Sequence, residues 1–164
     1  MATAYDVEPW TDLFVASAGA GAALAGLVFV AVSINVERIL SYAGLPERAL
    51  ATVLLLLSVV MVSLVALVPG QGRVALGLEL LVLALAFAAG LAYLVRLRPG
   101  VGDQARYAAG REATMLLGTI PFVIGAISLL LEAGGGLNWI AVGILAAIAG
   151  GVTNAWVLLV EILR

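Results

Sequence analysis

Between Leu13 and Asn35 the chain runs LFVASAGAGAALAGLVFVAVSIN, 23 residues without a charge. As a helix rising about 1.5 Å per residue, that run is long enough to cross a hydrocarbon core of roughly 30 Å. Its first half is almost all Gly, Ala and Ser, which makes a thin helix that neighbours can approach closely. Its far end carries Ser33 and Asn35, polar groups that need partners near a membrane boundary. Asp6, Glu8 and Asp12 precede it and no basic residue does, so the run lacks the positive flank and short apolar core of a cleaved signal peptide. It reads as a retained span.

The remainder of the chain repeats the pattern. Hydrophobic residues are 64% of the chain and charged residues 11%, with a mean hydropathy of +1.20. A soluble domain of this size could not cover so much apolar surface. Four further apolar runs follow, and with the first they place spans at about 13–35, 49–68, 74–95, 113–131 and 139–160. Pro46 suits the first turn of the second span, where its missing N–H would be unpaired anyway. Pro69, Gly70 and Gly72 end that span in a tight turn. Asp103 is a suitable N-cap for a fourth helix starting near Gln104 and entering the hydrocarbon near Ala113. Pro121 lies inside that helix and predicts a kink. Gly134 to Gly136 close it, and Asn138 is the expected cap of the fifth. Tyr5, Val7 and Trp10 are expected in the headgroup zone, where amphipathic rings collect. The fold class expected is all-α: one polytopic transmembrane bundle of five spans over 1–164.

Charge placement tests that count. All eight basic residues are Arg. With five spans, Arg38, Arg48, Arg96, Arg98, Arg106, Arg111 and Arg164 share one side and Arg73 alone lies on the other. Seven against one is a strong positive-inside asymmetry, with the N-terminus outside and the C-terminus cytoplasmic. Arg96, Arg98, Arg106 and Arg111 are then expected to touch anionic headgroups on the cytoplasmic face. Heavy use of Ala, Gly, Leu, Val and Arg suggests a high-GC bacterial genome, hence a bacterial cytoplasmic membrane.

Composition also narrows the chemistry. The chain has no Cys and no His. Disulfides, thiolate nucleophiles and Cys- or His-based metal and heme sites are excluded on that ground, as is a Ser–His dyad. Asp6, Asp12 and Asp103 all fall outside the spans, so no intramembrane aspartyl pair is available. No glycine-rich run is followed by the Lys of a phosphate loop. Catalysis and cofactor binding are not expected, and a net charge of −2 gives no reason to expect nucleic-acid binding.

What remains is packing and a few polar groups. Ser17, Gly21 and Ala25 recur every fourth residue, as do Ala18, Ala22 and Gly26, while Gly19, Gly26 and Ser33 recur at sevens. In the last span Gly143, Ala147, Gly150 and Asn154 line one face. Small residues let helices in lipid approach closely. Such faces serve either ordinary packing of the bundle or a subunit contact and narrow pore. Glu79 is the one carboxylate well inside a span, about 9 Å along the helix from Arg73. It shares a face with Ala86, Gly90 and Tyr93, taken as the packing side. An intramembrane carboxylate invites an ion or proton role, against which stands a hydrogen bond to Arg73 or Gln71 near the boundary. Ser33, Asn35, Thr153, Asn154 and Trp156 would meet if the first and last spans are neighbours.

The run AGLVFVAVSINVERIL, followed by LPERA and SLVALVPGQ, resembles small multi-span bacterial membrane proteins over roughly residues 13–72. The resemblance implies location and span pattern, and brings no activity or functional residue with it. The odd span count lacks the inverted repeat of many secondary transporters within one chain. The function expected is a homo-oligomeric channel or small-solute permeation protein with the first span lining the path. The alternatives are a non-conducting accessory subunit of a larger membrane complex and proton-coupled transport through Glu79.

Overall fold

The computed structural model describes residues 4–42, 44–96 and 104–163, with the side chains of 95, 104–117 and 161–163 outside the description. A 3-10 turn, Glu8–Trp10, leads into α1, Thr11–Ile34. Asn35 ends α1 with φ −109° and ψ 19°, and its side-chain N–H donates to the Ala31 carbonyl at 2.9 Å. The short α2, Val36–Ser41, follows. Gly44, at φ 94°, turns the chain through a left-handed conformation that a Cβ would strain, and Pro46 sits in the first turn of α3, Leu45–Ala66. Then come α4, Arg73–Arg96, α5, Gln104–Leu131, and α6, Leu137–Leu163.

The expected segments correspond to α1, α3, α4, α5 and α6, the first running past α1 by Asn35 and the second past α3 by Leu67 and Val68, and α5 starts at the residue its expected cap implies. One local expectation needs correcting. Asn138 lies in the first turn of α6 and not ahead of it, because Gly136 at φ 46° already delivers the chain into the helix at Leu137. Its side chain instead donates to the Gly135 carbonyl at 2.9 Å. Tyr5, Val7 and Trp10 are partly buried and pack on the core.

Helices α1, α3, α4 and α6 are each long and apolar enough to cross a membrane. The described apolar part of α5 is Gly118–Leu131, and the helix runs unbroken through the buried Pro121. Successive long helices run antiparallel: Gly21 of α1 faces Val59 and Val60 of α3, Gly77 of α4 faces Leu130 of α5, and Gly125 of α5 faces Ile140 of α6.

Lateral packing divides the helices into two groups. α3 packs on α4, α4 on α5, α5 on α6, and α6 returns to α3, which closes a ring of four. α1 leans on α3 from outside the ring and touches α6 only lightly. Over the described residues the ring is filled by Leu55, Val59, Val62, Leu76, Leu80, Phe122, Leu129, Ile140 and Ile144, all fully buried. In lipid no hydrophobic force draws helices together, so close van der Waals fit must do so. The ring shows that fit. A Cβ on Gly143 would lie 2.7 Å from the Phe122 ring, and one on Gly151 would lie 2.6 Å from Leu56.

Candidate functional site

Polar and small side chains cluster at three places: the outer face of α1, the arginine-poor end of the ring, and the lower part of α6. On α1 the turn periodicity resolves the competing small-residue rows. Phe14, Ser17 and Gly21 are buried against α3. A Cβ on Gly21 would lie 3.0 Å from Val60 and 3.3 Å from Val59. Gly19, Gly26 and Ser33, spaced at sevens, lie on the opposite side of α1 by the 100° turn per residue, and all three are exposed. A Cβ on Gly19 or Gly26 would meet nothing within 4 Å. The row that packs within the chain is the one through Ser17 and Gly21.

The anticipated meeting of Ser33, Asn35, Thr153, Asn154 and Trp156 does not form. Asn35 bonds its own helix, and Thr153 donates to the Ala149 carbonyl at 2.8 Å on α6. Ser33 and Trp156 are exposed. Asn154 turns into the bundle, 3% exposed, and its side-chain nitrogen has no hydrogen-bond partner. Gly150 is buried one turn before it. Gly26 and Gly150 therefore differ: one faces outward and the other inward. Between α1 and α6 lies a cleft of about 260 Å³, walled by Leu24, Leu27, Val28 and Ala31 on one side and by Ala155 and Trp156 on the other, with Leu56 of α3 at its base.

Glu79 is exposed, as are Ala86 and Tyr93, so that face of α4 points away from the ring and not into it. The cause is register: Leu76, Gly77, Leu80, Ala84, Leu91 and Leu94 are buried on α4, and Glu79 falls outside their stripe. Its carboxylate accepts a hydrogen bond from the side-chain amide of Gln71. Arg96 is exposed at the end of α4. Arg106 and Arg111 fall within α5, where their side chains lie outside the described residues, and Arg98 lies outside them altogether.

The arginine-poor end carries a network that sequence reasoning missed. Arg73 pairs with Glu132 at 2.7 Å and donates to the carbonyls of Leu129 and Leu130, so one guanidinium caps the end of α5. The last carbonyls of a helix have no partners within it, and a cation there also suits the helix dipole. Next to it Ser128 donates to the Ala133 carbonyl and accepts from the Gly136 N–H at 2.7 Å. The Tyr5 hydroxyl accepts from the Gly135 N–H at 3.1 Å, and Trp139 donates to the Gly134 carbonyl at 2.8 Å. A Cβ on Gly136 would press on the Tyr5 ring at 2.8 Å. The triple glycine therefore lets the N-terminal segment close over the α5–α6 turn. The available signal was a lone Arg on the arginine-poor side, six residues from a carboxylate that turned out not to be its partner.

The chain matches no family model, no curated protein and no solved structure. Function is therefore argued from geometry.

Proposed function

We propose that this is a five-span protein of a bacterial cytoplasmic membrane that works as the subunit of a homo-oligomer, with a permeation path for an ion or small solute formed between copies. The span count rests on α5, whose 28 residues are as long as the other spanning helices. The orientation rests on the arginine asymmetry, which sets the end bearing Arg38, Arg48 and Arg96 in the cytoplasm. The observation that carries the oligomer is the contrast between the ring and α1. The ring interior is occupied by side chains over its described length, so a path within one chain has no room there. α1 stands outside with the Gly19, Gly26 and Ser33 face uncovered.

Close approach of two copies along that face would bring thin, small-residue surfaces together, the arrangement that helix association in lipid favours. Cys placed at Gly26 should cross-link copy to copy in native membranes, and the purified protein should carry the mass of a symmetric oligomer that passes solute in liposomes. A monomer that purifies with one larger partner would replace this reading by that of an accessory subunit. Proton coupling through Glu79 is not part of the proposal, since its carboxylate is engaged with Gln71 on the outer face of α4.

A further inference from the structure

We infer that the cleft between α1 and α6 is a binding site for an anionic phospholipid, with one acyl chain lying along the cleft and the headgroup at Arg38. The inference rests on the membrane-spanning reading above, and it concerns a face of α1 that the proposed subunit contact does not use.

The cleft runs parallel to the helices from Leu24 to Val32 on α1 and from Gly151 to Leu159 on α6. Eight residues of helix give it a length of about 12 Å. Its walls are apolar side chains, and Leu56 floors it. An occupant with polar groups along its length would find no partners there. Width excludes a second helix: α1 and α6 still touch each other beside the cleft, whereas a helix with its side chains is about 10–12 Å across. A single unbranched hydrocarbon chain is the thin, apolar object that a bilayer supplies at this place.

Charge identifies the headgroup. The cleft ends at Val32 and Leu159, where Val32 and Leu158 join a small cluster with Ile39, Leu45 and Ala49. That cluster closes the cleft and fixes where the chain must leave it. Arg38, next to Ile39 of that cluster on α2, is exposed, as is Glu37. A basic side chain near the surface attracts an anionic lipid by about 1 kcal/mol, or roughly fivefold in occupancy. Trp156, exposed on the cleft wall, places an optical probe against the occupant.

The test uses the full chain purified in mild detergent after expression in bacterial membranes, with bound lipid counted by native mass spectrometry. Phosphatidylglycerol is then competed against phosphatidylcholine. The expected result is one retained phospholipid per chain with preference for phosphatidylglycerol. Ala155→Phe, which fills the cleft, should abolish retention while leaving the helical circular dichroism unchanged. Arg38→Gln should keep the lipid but lose about fivefold of the anionic preference. As a second readout, the Trp10→Phe, Trp139→Phe variant leaves Trp156 as the one Trp, and brominated phosphatidylglycerol should quench it, less so when Ala31 is replaced by Phe. Equal retention in Ala155→Phe, no retention by the parent chain, or a cleft protected only in the oligomer would each overturn the site. Release of the chain from membranes by alkaline carbonate would instead defeat the spanning reading, a separate outcome.

Discussion

α1 and α6 each carry three glycines and are close in length and in apolar content, and the fold uses them in opposite ways. α6 is part of the ring: Gly143 admits the Phe122 ring and Gly151 admits Leu56, so its glycines are places where a neighbour's side chain reaches the backbone. α1 leans on the ring through Phe14, Ser17 and Gly21, while Gly19 and Gly26 face open space. A small residue in a membrane helix is therefore not itself a contact. It becomes one when a large side chain stands opposite, as Phe122 does for Gly143.

The strongest way to break this comparison is to enlarge one glycine on each helix. Gly143→Leu should destabilise the protein by about 1–3 kcal/mol, since Phe122 and the ring would have to move to admit the new side chain. Gly26→Leu should cause no loss of monomer stability and a gain of up to about 1 kcal/mol, since nothing is touched and the unfolded chain loses freedom, and should reduce copy-to-copy cross-linking. Unfolding in mixed micelles measures the first effect and chemical cross-linking the second. Similar stability losses at the two sites would show that α1 is packed as tightly as α6.

The ring and its outlier also differ in how their ends are held. Arg73 fastens α4 to the end of α5 through Glu132 and the two helix carbonyls, and the Ser128 hydroxyl bridges the turn into α6. Arg73→Met should cost about 1–2 kcal/mol, mostly from carbonyls left without a donor. The ion pair adds less, because Glu132 is 62% exposed, so Glu132→Gln should cost under about 1 kcal/mol and its effect should shrink in salt. Equal losses from the two variants would move the main contribution from the carbonyl cap to the ion pair. α1 has a lighter fastening at the same end, the Tyr5 hydroxyl on the Gly135 N–H. Tyr5→Phe should cost about 0.5–1.5 kcal/mol. It should also speed amide hydrogen exchange in the first turns of α1 while leaving the start of α4 unchanged. Faster exchange at α4 would show that the N-terminal segment holds the ring as well.

Span length, turn chemistry and charge asymmetry were readable from the residues. Uncharged runs set α1, α3, α4 and α6 to within a few residues, and Asp103 before Gln104 marked the start of α5. Which face of each helix turns inward was not readable. In lipid the outer face is as apolar as the core, so the stripe that reveals burial in a soluble helix is missing. On α1 the Gly19, Gly26 and Ser33 row looks as suitable for packing as the Ser17 and Gly21 row, and only Val59 and Val60 across the interface decide between them. Glu79 misled for a related reason: Ala86 and Gly90 beside it suggested a contact face, while the larger Leu76 and Leu80 formed the real one. The Arg73 and Tyr5 contacts join residues 56 and 130 positions apart, distances over which local patterns carry no information.

The finest test lies within α1 itself, between two glycines one place apart in the alternation. Gly19→Ala should stabilise the chain by about 0.4–1 kcal/mol, because the new methyl meets nothing and the unfolded chain loses freedom. Gly21→Ala receives the same benefit and must also push Val60 and Val59 back by a few tenths of an ångström, with the Leu56 carbonyl 3.4 Å away. The two valines are stiff at their branch point and yield poorly. The expected result is a gain at Gly19 and no gain, or a small loss, at Gly21, read as the difference in unfolding midpoint between the two variants. A gain of the same size at both would mean that α1 can shift on α3 to accept the methyl, and that its seat on the ring is a loose contact without a fixed register.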